Sequence, residues 1–197
     1  PELTWQVTAG SLVGTAAPTG TLSRAAGEDV GEYTIEQGGL DFGDNYTVTY
    51  VSSDLTISAR PITVTADSQS KTYGDIDPEL TWLLTDGSLA GTDAPTGTLN
   101  RVTGEDVGAY AILPGSLNFG DNYEVSFTSS DLTISARPIT VTADSQGKTY
   151  GNIAPELIWQ VTTGSLHGSD EPTGSLSRTA GENIGDYAIE SAPALLH

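Results

Sequence analysis

The sequence predicts an all-β protein: an extended array of tandem repeats of 77 residues, each folded as a small antiparallel β-sandwich. Three observations predict it. The stretch Ala59 to Trp82, ARPITVTADSQSKTYGDIDPELTW, returns with few changes as Ala136 to Trp159. Its end, PELTW, also opens the chain, so Trp5, Trp82 and Trp159 are one position met at a period of 77. Self-similarity at this length suits a small domain strung as beads better than a solenoid unit of about 20 to 50 residues. Second, apolar residues alternate with threonine and serine, the pattern of strands with one buried face. Third, Gly, Pro, Asn and Asp cut that alternation into short segments, and helical spacing appears over no useful length.

From the N-terminus, Leu3, Trp5 and Val7 alternate with Thr4 and Gln6, which predicts a strand. Gly10, Gly14, Pro18 and Gly20 punctuate a loop, and GTLSR, ending at Arg24, predicts a short strand. A turn at Gly27 to Gly31 leads into a strand with Tyr33 and Ile35 inward. Leu40 and Phe42 form a brief apolar patch, and Gly43-Asp44-Asn45 turns into a strand through Tyr46, Val48 and Tyr50. Leu55 and Ile57 mark another. Only Ser58, Ala59, Arg60 and Pro61 then separate it from the strand of Ile62, Val64 and Ala66, and proline fixes its own φ at that joint. Asp67 to Asp77 is expected as a polar connector before the cycle restarts at Pro78.

Comparing Pro1 to Ala59 with Pro78 to Ala136, about seven positions in ten are identical without a gap. The expected divisions are a partial repeat at 1–58 lacking its first strand, a complete repeat at 59–135 with about seven strands, and a partial repeat at 136–197 lacking its last strands. Residues 191–197, SAPALLH, match nothing in the other copies and stand as a candidate non-native tail.

Composition excludes several function classes. Twenty-six acidic side chains against seven Lys and Arg give a formal charge of −19, which disfavours nucleic acid and anionic membranes as partners. Cysteine is absent, so no disulfide or thiolate metal site exists. Methionine is absent too, which marks an internal or processed piece of a longer protein. No apolar run approaches the roughly 18 residues of a membrane-spanning helix, so no membrane insertion is expected in this segment.

The string Arg60-Pro61-Ile62-Thr63-Val64-Thr65-Ala66, then Lys71-Thr72-Tyr73-Gly74-Asp75, a Gly-x-Tyr-x-Ile segment, the Asn-Tyr turn and a final Leu-Thr-Ile resemble the MBG and YDG repeats of large bacterial surface proteins, related to filamentous-haemagglutinin-like exported adhesins. The resemblance spans the chain in register, departing at Asn152, at Ala154 and from Ser191. It implies an extracellular or cell-surface location and a stalk of many modules between an anchor and a binding head. Separately, Asp29-Val30-Gly31-Glu32-Tyr33 and Asp106-Val107-Gly108-Ala109-Tyr110 resemble the tyrosine corner of immunoglobulin-like sandwiches, in which the hydroxyl bonds back to the chain. The third copy keeps Gly185 and Tyr187 but has Asn183 for the aspartate, and an ordinary glycine turn is the other reading.

Chemistry finds little to stand on. Neither His167 nor His197 belongs to the repeating unit, and the adjacent acids Glu28-Asp29 and Glu105-Asp106 sit in turns, so no enzyme is expected. The residues singled out are structural. Trp5, Trp82 and Trp159 read as core anchors; Tyr33, Tyr110 and Tyr187 as corners; Pro61 and Pro138 as joint stiffeners. Arg24, Arg101 and Arg178 each precede a glutamate by four residues, in place for an ion pair or a bridge to loop carbonyls. Lys71 and Lys148 read as solvated connector lysines rather than as partners in a covalent link to Asn or Asp. Asp67, Asp75 and Asp77 are candidate calcium ligands, with turn-forming aspartates as the alternative; no other cofactor is expected.

Function is expected to be that of a non-catalytic stalk whose partners are neighbouring repeats of its own chain. The alternative is a module binding a glycan or host protein through loops such as Asp86 to Gly97, stabilised by calcium. A third expectation is self-association by strand exchange between the partial copies.

Overall fold

In the computed structural model, which describes residues 1–15 and 17–191, strands are the only regular elements. The middle copy holds seven: β4 (Arg60–Ala66), β5 (Gln69–Thr72), β6 (Trp82–Asp86), β7 (Asn100–Arg101), β8 (Gly108–Leu113), β9 (Tyr123–Thr128) and β10 (Asp131–Ser135). Before them come β1 (Ser23–Arg24), β2 (Gly31–Glu36) and β3 (Ser53–Ile57). After them come β11 (Thr140–Ala143), β12 (Trp159–Thr163), β13 (Leu176–Arg178) and β14 (Ile189–Ser191).

Strand β4 explains much of the rest. Its alternation of Ile62, Val64 and Ala66 with threonines points one row of apolar side chains inward, and all three are buried. It pairs antiparallel with β6 and parallel with β9 in a sheet of order β6-β4-β9. Phe119 and Tyr123 close over Ile62 and Val64, with Trp82, Leu84, Leu89, Leu117 and Phe127 packed around them. The other sheet of the copy has the order β5-β10-β8-β7 and buries Ile112, Leu132 and Ile134.

Two compact units result. One gathers Pro1–Ala66, Thr81–Leu99 and Pro114–Ser129; the other gathers Asp67–Leu80, Asn100–Leu113 and Ser130–His197. The units cut across the 77-residue period. The passage from the first copy to the second, β3 to β4, lies inside the first unit, and the passage from β10 to β11 lies inside the second.

The all-β tandem-repeat architecture is as expected, and the structure corrects several finer expectations. The sheets are not purely antiparallel, since β4 with β9 and β5 with β10 run parallel. An immunoglobulin-like sandwich places its first strand in a sheet with its second, whereas β4 pairs with the third and sixth strands of its copy. Side-chain alternation is the same in both pairing modes, so the sequence pattern carried no signal for direction.

Two predicted strands of the first copy, through Leu3 to Val7 and Tyr46 to Tyr50, do not form. Their counterparts β6 and β9 are held by pairing with β4, and among the described residues neither first-copy segment has a strand paired beside it. Trp5 is 41% exposed, and Trp159, though in β12 beside β11, is 38% exposed, so neither is the core anchor that Trp82 is. The polar connector contains a strand, β5, whose partly buried positions are filled by Gln69, Lys71 and Thr72 rather than apolar residues. The joint is shorter than four residues. Arg60 and Pro61 already pair with Tyr123 and Glu124, leaving Ser58 and Ala59 between β3 and β4. Pro61 is tolerated as the second residue of a strand whose pairing to β6 begins only at Thr63. Pro138 precedes β11, which is shorter than β4 and, among the described residues, pairs with β12 alone. Lastly, Ser191 belongs to β14, opposite Leu176, and the rest of the suspected tail lies outside the described residues.

Candidate functional site

One constellation recurs in all three copies, at the turn before β2, before β8 and ahead of β14. It spells Arg-x-x-Gly-Glu-x-x-Gly-x-Tyr, from Arg24, Arg101 and Arg178 to Tyr33, Tyr110 and Tyr187. Each tyrosine hydroxyl donates to the backbone carbonyl four residues back: Asp29 at 2.8 Å, Asp106 at 2.8 Å and Asn183 at 2.9 Å. The acceptor is main chain, so asparagine at 183 leaves the bond intact. Each arginine lies over its tyrosine ring, 5.2, 5.3 and 5.2 Å from the centroid, in cation–π geometry. Each also donates Nη1 to the carbonyl of Gly27, Gly104 or Gly181 at 2.6 Å and Nη2 to Glu28, Glu105 or Glu182. Both expected roles of the arginine, ion pair and carbonyl bridge, are thus filled by one guanidinium.

The first glycine of the motif has φ of +148°, +151° and +153° in the three copies. A Cβ there would overlap the tyrosine ring, so only glycine fits.

In the middle copy the corner joins a larger charge network. Lys71, from β5, is only 4% exposed and pairs with Asp77 at 2.7 Å and with Glu105. It is therefore not the solvated lysine expected: β5 carries it under the turn that bears Glu105. Arg101 grips the same Asp77 with two donors, Nε at 2.6 Å and Nη2 at 3.0 Å. The Arg101 hydrogen bonds, then that of Lys71, hold the Asp77 carboxyl down to about 2. Glu105 is lowered first by Lys71 and then by Arg101, and the two carboxylates raise the Lys71 ammonium in return.

The third copy shows the same network with a part removed. Ala154 stands where Asp77 would, and Lys148 turns to Glu182 and to the Asn152 carbonyl at 3.2 Å. In the first copy Arg24 pairs with Glu28.

A second set of contacts ties one copy to the next. Arg137, the arginine of the third copy's Arg-Pro-Ile string, donates Nε to the Tyr73 carbonyl at 2.8 Å and Nη2 to Asp75 at 2.6 Å, both in the middle copy. Tyr73 also meets His167 edge-on at 5.5 Å, with its hydroxyl 3.4 Å from Asp170, whose carboxylate raises its pKa. Gly74 has φ +82°, and a Cβ there would run into the His167 ring. Between the first and middle copies, the Asn122 side chain accepts from the Val30 amide and donates to Asp29, both at 2.8 Å.

The remaining predicted residues are placed as follows. Trp82 packs edge-on against Phe119 at 5.3 Å, and Trp5 meets Phe42 at the same distance. Of the calcium candidates, Asp75 and Asp77 face arginine and lysine, and Asp67 lies between β4 and β5. Among the described residues no three His, Cys, Asp or Glu side chains converge as a metal cage would require. The loop Asp86 to Gly97 is tied to the core by the Tyr123 hydroxyl, which accepts from the Ala90 amide and donates to Asp93, both at 2.7 Å.

The sequence reading gave no role to the glycine at 104 and its equivalents, to Asn122 or to Arg137, took Lys71 as solvated, and noted His167 only as lying outside the repeating unit. The first was visible as an invariant step of 77 residues; Asn122 and His167 carried no advance signal, because they act across the boundary between copies.

Fold and site together define a tandem β-repeat protein with a motif-built corner in each copy and side-chain contacts between successive copies. The chain belongs to the MBG domain family, YGX type, whose family model matches residues 1–56, 62–133 and 139–194. Repeats of this family are typical of adhesin-like surface proteins, and the family is not one of enzymes. No curated protein and no solved structure matched the chain. Among the described residues no helix is long and apolar enough to cross a membrane.

Proposed function

We propose that this chain is a non-catalytic spacer segment of a bacterial surface or secreted adhesin, its repeats stacked end to end to hold a binding head away from the cell. One observation carries the proposal: the passages between copies are packed, with two residues between β3 and β4, Asn122 bridging to Asp29 and Val30, and Arg137 clamping Tyr73 and Asp75. A joint made of side-chain contacts resists bending where a Gly/Ser linker would let the beads tumble. The charge of −19 adds repulsion against folding back. Small-angle scattering of the three-copy chain is the test. An elongated profile supports a spacer; the profile of a single compact globule overturns it.

A further inference from the structure

Two parallel ladders join the start of the complete copy to its end. Strand β4, which opens the copy, runs parallel to β9, from Arg60 opposite Tyr123 to Thr65 opposite Thr128. Strand β5 runs parallel to β10, which closes the copy, from Gln69 opposite Leu132 to Thr72 opposite Ser135. The offset is the same in both, 63 residues from Arg60 to Tyr123 and from Gln69 to Leu132. One further backbone bond extends each ladder: the Arg60 amide donates to the Asn122 carbonyl at 2.9 Å, and the Tyr73 amide to the Ser135 carbonyl at 2.8 Å.

Strand direction decides what a pull along the chain does to these ladders. Load arriving from the preceding copy enters β4 at Arg60 and leaves at Ser135, the last residue of β10. On one route it crosses from β4 to β9 and follows the chain through Ser129 and Ser130 into β10, so β4 is drawn at its first residue and β9 at its last. On the other it follows the chain through Asp67 and Ser68 into β5 and then crosses to β10, so β5 is drawn at its first residue and β10 at its last. In a parallel pair those are opposite ends of the ladder, so the strands are loaded in shear and the bonds must yield together. In an antiparallel pair the same two ends would lie side by side, and the bonds would open one at a time.

Neither loaded terminal strand is an edge. β4 lies between β6 and β9, and β10 between β5 and β8. Ile62, Val64 and Ala66 of β4 and Leu132 and Ile134 of β10 are buried. A slip of one residue would turn those rows outward, so the core resists sliding as the bonds do. Just past the exit, Arg137 holds the Tyr73 carbonyl and Asp75, which keeps the end of β5 beside the end of β10.

We propose that the complete repeat is a tension-bearing element, a shear clamp closed by β4 with β9 and by β5 with β10, through which the array transmits a pull without unravelling. Forced unfolding is set by the height of the unfolding barrier, and shear loading raises that barrier without any change in equilibrium stability. The use of the clamp in a stalk rests on the spacer reading; the clamp itself is a property of one copy.

The test pulls the full chain in two directions by single-molecule force spectroscopy. The protein has no cysteine, so handles attach at Ser58→Cys with Ala136→Cys, at opposite ends of the ladders, or at Ser58→Cys with Asp121→Cys, at the same end of the β4–β9 ladder. All three side chains are exposed. At one loading rate the first pair should need a several-fold higher force, because the six paired positions of β4 and β9 are loaded together there and one after another in the second. Equal forces in the two directions, or a higher force for the second pair, would overturn the clamp. The ratio compares directions and is independent of the shape of the array, so it stands apart from the scattering test of the spacer.

Discussion

Arg101 and Asp77 meet through a fork: two nitrogens of one guanidinium reach the two oxygens of one carboxylate, at 2.6 and 3.0 Å. That geometry is the strongest form of side-chain ion pair, and here it also pins the turn carrying Asp77 to the corner built on Tyr110. Replacing Asp77 by alanine should reduce the middle copy to the third copy's arrangement, leaving Lys71 with Glu105. The expected loss is about 1 to 2 kcal/mol, kept small because Asp77 is 39% exposed. Urea unfolding followed at Trp82 measures it. Ala154→Asp should stabilise the third copy, by less than about 1 kcal/mol.

Acid should act through the same pair. Asp77 ionises at about 2 in the folded chain against an ordinary value of 3.8, so the unfolded chain binds more protons and stability rises with pH. The contribution is complete above pH 3.8 and fades as pH falls toward 2. Asp77→Asn should flatten the stability curve across that window, read from thermal midpoints of both proteins.

Glycine at 104 is required by the ring beside it. Gly104→Ala forces a side chain into the Tyr110 ring at φ +151° and should cost about 1 to 3 kcal/mol. Tyr110→Phe removes only the bond to the Asp106 carbonyl and should cost about 1 kcal/mol. A ranking in which Phe is the worse substitution contradicts the corner described here.

Lys71 should remain a free amine. Arg101 and Lys71 keep Asp77 ionised at neutral pH, and a carboxylate in that state is a poor target for attack by an ammonium that its neighbours keep protonated. Intact mass should equal that of the sequence. Loss of one water, mapped to Lys71 and Asp77, would refute this.

Calcium should leave stability unchanged. Asp75 and Asp77 are engaged by arginine and lysine, so a cation would have to displace three cationic side chains, Lys71, Arg101 and Arg137. Thermal midpoints with added calcium and with chelator should coincide; a rise with calcium would show a site the ion pairs do not predict.

These contacts also show what the sequence could and could not reveal. The period of Trp5, Trp82 and Trp159 and the alternation through Ile62 to Ala66 made the repeats and the buried row of β4 legible. Tyr33, Tyr110 and Tyr187 were found from local spacing because the corner is closed within ten residues. Strand β5 was hidden: its partly buried positions hold Gln69, Lys71 and Thr72, and polarity at those places reads as loop until the partners of Lys71 are known. The first copy's strands at Trp5 and Tyr46 were predicted from patterns that are correct, but a strand needs a neighbour as well as a pattern. Arg137 looked like part of a linker, and its role emerges only with Tyr73 and Asp75, 64 and 62 residues away.

The stiffness of the passages between copies is most directly tested by pulsed electron spin distances. The chain has no cysteine, so Val51→Cys with Leu83→Cys spans the first passage and, in a second protein, Ile76→Cys with Ile153→Cys spans the next, at side chains 79%, 61%, 92% and 95% exposed. A single narrow distance distribution in each pair, broadened by Asn122→Ala in the first and by Arg137→Ala in the second, is what packed passages predict. A broad distribution in the unaltered chain, indifferent to both substitutions, would contradict it.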